Sequence, residues 1–129
     1  IFLLMKKNIK FNFTNQNFVL TGGGKGIGFA TLKKLYDAEA NVALITRSKS
    51  DIIKIKKKFS KKKVLAFCGD VSNEEDRKSF FYIVKKKMKN LDGLINNAGI
   101  RQRKNFEDIS QSDLDHIYEI NLKSIFFLT

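Results

Sequence analysis

"TGGGKGIG", residues Thr21–Gly28, decides how this chain is read. Five of its eight positions are glycine, which bares the backbone and permits turns closed to other residues. The stretch follows an apolar run, "NFVL" at 17–20, and opens an amphipathic one, "GIGFATLKKLYDAEA" at 26–40. A glycine loop between strand and helix lets a pyrophosphate approach the backbone. The helix N-terminus then offers free N–H groups and the positive end of its dipole. It is not a Walker A loop, because Lys25 is followed by Gly26 and Ile27 rather than by serine or threonine.

The alternation continues down the chain. "NFVLTG" (17–22), "NVALITR" (41–47), "KVLAFCGD" (63–70) and "LDGLINNAG" (91–99) read as strands. Between them, 26–40 reads as a helix, as does "SDIIKIKKKF" (50–59), with Ile52, Ile55 and Phe59 on one face. "NEEDRKSFFYIVKKKM" (73–88) is amphipathic with Phe80, Phe81, Val84 and Met88 inward, and Ser72 with Glu75 has capping-box spacing at its start. A loop after the fourth strand leads to "SDLDHIYEINLKSIFFL" (112–128), helical by spacing. Strand–helix alternation with short links predicts βαβ units and a parallel sheet covered on both faces, a doubly wound α/β Rossmann fold. Such sheets ordinarily carry more than four strands, so the sequence reads as truncated after the fourth strand and the helix that follows it.

The totals agree with one domain. The chain has 129 residues, 43% of them hydrophobic, and no proline. Residues 1–10 read as a disordered N-terminal extension, and 11–129 as one partial Rossmann domain. The apolar run Ile1–Met5 is far shorter than the ~20 residues of a membrane span and lacks a secretory cleavage pattern. A single cysteine, Cys68, forms no internal disulfide, which points to a reducing, cytoplasmic setting. The net charge of +12 comes from lysines scattered over several helical faces. With no aromatic stacking platform or docking motif beside them, they read as a lysine-rich surface rather than a nucleic-acid site. No cysteine–histidine cluster suggests a metal.

Ligands of open α/β sheets bind beyond the carboxyl ends of the strands. Every expected strand here ends in polar or glycine residues: Thr21-Gly22, Thr46-Arg47, Gly69-Asp70 and Asn96-Asn97. Arg47 lies nineteen residues past Gly28, where an acid would hold the ribose 2′-hydroxyl of NAD or an arginine would meet the 2′-phosphate of NADP. No acid follows until Asp51. Lys25 joins Arg47 as a second cation, which favours NADP(H) and leaves NAD(H) possible. Asn121 falls on the stripe Leu114, Ile117/Tyr118, Asn121, Ile125, spaced for a buried helical face. A buried amide there either bonds neighbouring backbone or delivers a polar group to the crevice. Cys68 reads as a core thiol, His116 as a surface residue, and Glu74, Glu75 and Asp76 as a dipole-favoured first turn.

Together these residues resemble the short-chain dehydrogenase/reductase family over about 17–129. Thr21–Gly28 matches its TGxxxGIG motif, Asp70-Val71 its D-V pair, Asn96–Gly99 its NNAG motif, and Asn121 its helix asparagine. The look is most like 3-oxoacyl-carrier-protein reductases and gluconate/deoxygluconate dehydrogenases. The resemblance implies roles for these positions. Gly22, Gly24, Gly26 and Gly28 would receive the pyrophosphate, with Ile27 near its nicotinamide end. Asp70 would hold the adenine by its side chain and Val71 by its backbone. Asn97, Ala98 and Gly99 would line the ribose side and brace the central strand. The Asn121 backbone carbonyl would anchor a water of the proton relay. Lys25 and Arg47 match the basic pair of NADP(H)-preferring members.

The family's catalytic serine and its Y-x-x-x-K pair have no counterpart in the expected place. Tyr82 and Lys86 have the spacing but stand on the helix before the NNAG strand. The implied protein is an NADP(H)-dependent carbonyl/alcohol oxidoreductase, a homodimer or homotetramer when complete, acting on a small molecule. This chain is its cofactor-binding part, expected to be inactive alone. The alternative is a naturally short, non-catalytic nucleotide-binding protein.

Overall fold

The structure, a computed structural model, describes residues 10–129; the expected extension at 1–10 lies outside it except for Lys10. Four strands form one sheet: β1 (Asn17–Thr21), β2 (Asn41–Thr46), β3 (Val64–Cys68) and β4 (Gly93–Ile95). Their order is β3-β2-β1-β4, and every pairing is parallel. The chain steps outward from β1 through β2 to β3, then crosses back to place β4 on the other side of β1. That reversal is the geometric origin of the crevice described below.

Alternation along the strands divides the core in two. Leu20, Val42 and Leu44 point to one face, where they meet Leu32 and Leu35 of helix α1 (Gly26–Asp37) and Ile52 and Ile55 of α2 (Lys49–Lys58). Val19, Ala43 and Ile45 point to the other, against Phe80 and Val84 of α3 (Glu74–Lys87) and the C-terminal helical segment. Helices therefore cover both faces, as doubly wound sheets require.

Several expected boundaries shift for identifiable reasons. Helix α1 ends at Asp37 because Glu39 takes a left-handed φ of 69°, and the N–H groups of Ala38 and Ala40 close the end on the carbonyls of Lys34 and Leu35. The α3 cap is Asn73, whose side chain accepts from the Asp76 N–H, not the expected Ser72–Glu75 box. Ser72 is occupied by Asp70 instead. Cys68 is exposed at the end of edge strand β3 rather than buried.

The last helical stretch is one continuous run with a wide turn inside it: α4 (Gln111–Tyr118), a π-helical segment (Glu119–Lys123) and α5 (Ser124–Leu128). The expected inward stripe is wrong in part. Leu114 and Tyr118 are about half exposed, while Ile120, Ser124 and Leu128 are buried and Asn121 is half-buried. An extra residue in the turn rotates the inward face relative to an ideal 3.6-residue repeat.

Gly28 shows how tightly α1 sits on the sheet. A Cβ there would lie 2.2 Å from the Gly22 carbonyl oxygen and 2.4 Å from Asn97 Nδ2. Gly28→Ala is expected to cost about 1–3 kcal/mol of stability through overpacking, read as a lowered urea midpoint. An unchanged midpoint would show that α1 can back away.

Candidate functional site

The site is assembled where β1 and β4 part. Thr21 closes β1, and its Oγ1 accepts from the N–H groups of Asn97 at 3.0 Å and Ala98 at 2.9 Å. Asn97 returns the contact, with Nδ2 donating to the carbonyls of Thr21 and Gly22, both at 3.0 Å. The side chain of Thr21 thus takes N–H groups that a longer β4 would have given to backbone, and β4 ends at Ile95 instead of running through 99. Asn97 faces the glycine loop rather than open space.

The five glycines, read from sequence as one pyrophosphate cradle, divide their work. Gly22, at φ 71°, is bare because a Cβ would lie 2.9 Å from Ala98 Cα. Gly28 is bare for helix packing, and Gly23 sits on Leu20 and Leu44 of the core. Gly24 faces Asp51. Gly26 has open space around it and a left-handed φ of 56°.

Above this loop, α1 begins without a side-chain cap: Lys25 holds the N-cap position in extended conformation and accepts nothing. The starts of α2, α3 and α4 are capped, by Ser48, by Asn73 and by Ser110 with Asp113. The first turn of α1 also contains no acid. Its N–H groups and its positive dipole end are therefore presented to the crevice.

A cleft of about 440 Å³ opens at this point. From the first βα link it is lined by Gly22, Gly24, Lys25, Ile27 and Gly28, and from the second by Arg47, Ser48 and Asp51. Asp70 and Val71 line it from the third, and Asn97, Ala98, Gly99 and Ile100 from the fourth. All the residues expected at the site are in this lining except Gly26, which belongs to the same loop, and Asn121. Ile27 is largely exposed despite being apolar.

Lys25 and Arg47 share the cleft, but the near neighbour of Arg47 is Asp70, with Nη1 3.6 Å from Oδ2. Asp70 Oδ1 accepts from the Ser72 N–H and hydroxyl at 2.9 and 2.7 Å. Partial burial opposes ionisation of Asp70, yet the Ser72 hydrogen bonds, and after them the Arg47 charge, hold its carboxyl below the ordinary range. Val71 is buried, and its carbonyl accepts from Arg77 Nη1 at 2.8 Å. Arg77, unremarked in the sequence, is itself buried under the Phe127 ring and also donates to the Ser72 carbonyl.

Asn121 anchors the loop after β4. Its Oδ1 accepts from the Ile100 N–H and its Nδ2 donates to the Ile100 carbonyl, both at 2.8 Å. The half-buried side chain bonds neighbouring backbone, and Ile120 of the same π-helical turn lines the cleft. Tyr82 and Lys86 stack on each other at the exposed side of α3 and do not line the cleft. His116 is exposed. Among the described residues no group of three metal-ligating side chains occurs, and no helix is long and apolar enough to cross a membrane.

A parallel sheet with an order reversal, a glycine loop and an uncapped helix at the switch point define a dinucleotide-binding type of α/β protein. Comparison with known proteins narrows the class. The family model for short chain dehydrogenase matches residues 16–129, and the chain belongs to that family. It is 32% identical to an 11-beta-hydroxysteroid dehydrogenase-like protein (like 3) of Arabidopsis thaliana, covering 98% of this chain and 43% of the relative. A short-chain dehydrogenase/reductase, glucose/ribitol dehydrogenase, from Brucella melitensis superposes with a TM-score of 0.88 at 28% identity, over 93% of this chain and 52% of the other. A 3-ketoacyl-(acyl-carrier-protein) reductase of the same organism, complexed with NADH, gives 0.84 at 25%, over 92% and 49%. The chain thus spans about half the length of these proteins.

Two outcomes test the geometry. Thr21→Val, which leaves two N–H groups without their acceptor, is expected to cost about 2–4 kcal/mol in chemical denaturation, while Thr21→Ser retains most of it. Asp70 stabilises the fold fully above its ordinary pKa of 3.8 and loses that contribution as pH falls through its lower native value. The stability gap between wild type and Asp70→Asn should therefore be largest near neutrality and shrink in acid; a gap that stays constant with pH would contradict it.

Proposed function

We propose that this chain is the cofactor-binding part of an NAD(P)(H)-dependent oxidoreductase that moves a hydride between the nicotinamide and a small carbonyl or alcohol substrate, with NADP(H) favoured. The observation that carries the reading is the uncapped N-terminus of α1 over the glycine loop at the β1/β4 switch point. Bare N–H groups and a positive dipole end suit a pyrophosphate, and the open space at Gly26 admits one.

The residues fit the rest of a dinucleotide. Arg47 and Lys25 would take the adenosine 2′-phosphate, Asp70 and the Val71 N–H the adenine, and Ala98 and Gly99 the ribose side, with Asn97 bracing the loop. Ile27 would cover the nicotinamide end of the pyrophosphate. The backbone carbonyl of Asn121 would hold a water on the proton path. The bound nicotinamide supplies the hydride. Carbonyl reduction also needs a general acid, and none of the tyrosines of the described residues, nor His116, lines the cleft. Residues 1–129 are accordingly expected to bind cofactor without turnover. Self-association through the last helical stretch belongs to the same reading, supported by Leu114, Tyr118, Leu122 and Phe126, all more than half exposed.

Cofactor choice is the direct test. Arg47→Ala should weaken NADPH binding about tenfold or more, the scale of a lost charge-assisted hydrogen bond, and NADH binding much less, measured by nicotinamide fluorescence. Equal weakening of both would refute the 2′-phosphate role.

A further inference from the structure

Asp51 is the acid of the cleft that the sequence motifs leave without a role. It stands in the first turn of α2, where a carboxylate has a ready explanation in the helix dipole. The structure asks for more. The capping is done by Ser48, whose Oγ accepts from the Asp51 N–H at 3.2 Å. The comparable acids Asp76 and Asp113 each accept from a backbone N–H, of Asp70 and Ser110. The Asp51 carboxylate has no hydrogen-bond partner among the described residues, although the residue is only 9% exposed. It lines the cleft beside Lys25 and Arg47. Its Oδ2 lies 2.4 Å from the point a Cβ of Gly24 would occupy, and its own Cβ and Cγ lie 2.8 Å from that point. The carboxylate thus fills the place of a side chain at loop position 24 and forms part of the cleft wall.

Resting on the cofactor reading above, we infer that Asp51 is a specificity-determining residue at the adenosine ribose end of the site. A cleft-facing carboxylate with no protein donor is open to a hydroxyl, which the ribose of NAD(H) offers at the 2′-position. A 2′-phosphate carries a charge of about −1.5 to −2 and meets the same carboxylate with repulsion. Asp51 therefore opposes the cationic pull of Lys25 and Arg47, and the site holds both elements of discrimination against each other. Binding of NADP(H) draws on the two cations, binding of NAD(H) on the one carboxylate, and the preference is smaller than the cations alone would set.

The experiment is direct titration of NADH and NADPH against wild-type protein, Asp51→Asn and Asp51→Ser, by nicotinamide fluorescence at low and high salt. Asparagine keeps the shape against Gly24 and removes the charge; serine is a second uncharged variant should the amide disturb folding. The expected result is a rise of about fivefold or more in the NADPH:NADH affinity ratio, from tighter NADPH and unchanged or weaker NADH, and a smaller rise at high salt. A merely structural role would move both cofactors together and leave the ratio unchanged, and that result overturns the inference. If wild-type protein binds neither dinucleotide, the cofactor reading itself fails, and this inference with it.

Discussion

The oxygen of one threonine side chain holds the centre of this molecule together. Thr21 Oγ1 accepts two N–H groups from the segment just after β4, the strand that follows β3 in sequence but lies beside β1 in space. Strand β4 is short, and its register on β1 covers only Phe18–Leu20. The threonine carries the pairing two residues further by side chain, and Asn97 completes it in the opposite direction with two donated hydrogen bonds. Because these bonds span the point where the sheet order reverses, they set the distance between the glycine loop and the loop after β4. The walls of the cleft follow from that distance. Gly22 and Gly28 are then required by contact, since either with a side chain would push α1 or Ala98 away.

The opposite wall depends on a second cross-link of the same kind. Asn121 pairs with both backbone groups of Ile100 and so ties the last helical stretch to the loop after β4. Arg77 adds a third tie, holding the loop carbonyls of Val71 and Ser72 from beneath the Phe127 ring. Buried amides and guanidinium groups are costly unless satisfied. In each case the satisfied partner is backbone of a loop that lines the site, so the polar groups that fix the core also fix the cleft.

Much of the architecture was legible in the sequence because its signals are local. Short apolar runs, amphipathic helices and short links placed all four strands, and the polar strand ends pointed to one ligand edge. What was not legible depends on contacts between distant segments. Cys68 looked buried from an apolar neighbourhood, yet β3 is a sheet edge and its end is open. The Ser72–Glu75 spacing fits a capping box, but Asp70 captures Ser72 and Asn73 takes the cap. The stripe through Leu114 and Tyr118 assumed a regular helix, and a π-helical turn changes the face.

The sequence by itself determined the fold class and the place of the site. Hydrophobic periodicity and a glycine loop between strand and helix are properties of neighbours in the chain, and they admit few arrangements. The short chain dehydrogenase family model matches across residues 16–129, the span that holds those ordered motifs. Only the tertiary structure decided which glycines serve packing and which face the cleft, that Arg47 stands beside Asp70, and that the carboxylate of Asp51 occupies the space above Gly24. Those outcomes depend on which strand lies next to which. Strand order is set by burial and by hydrogen bonds between segments far apart in the chain, and no local pattern records it.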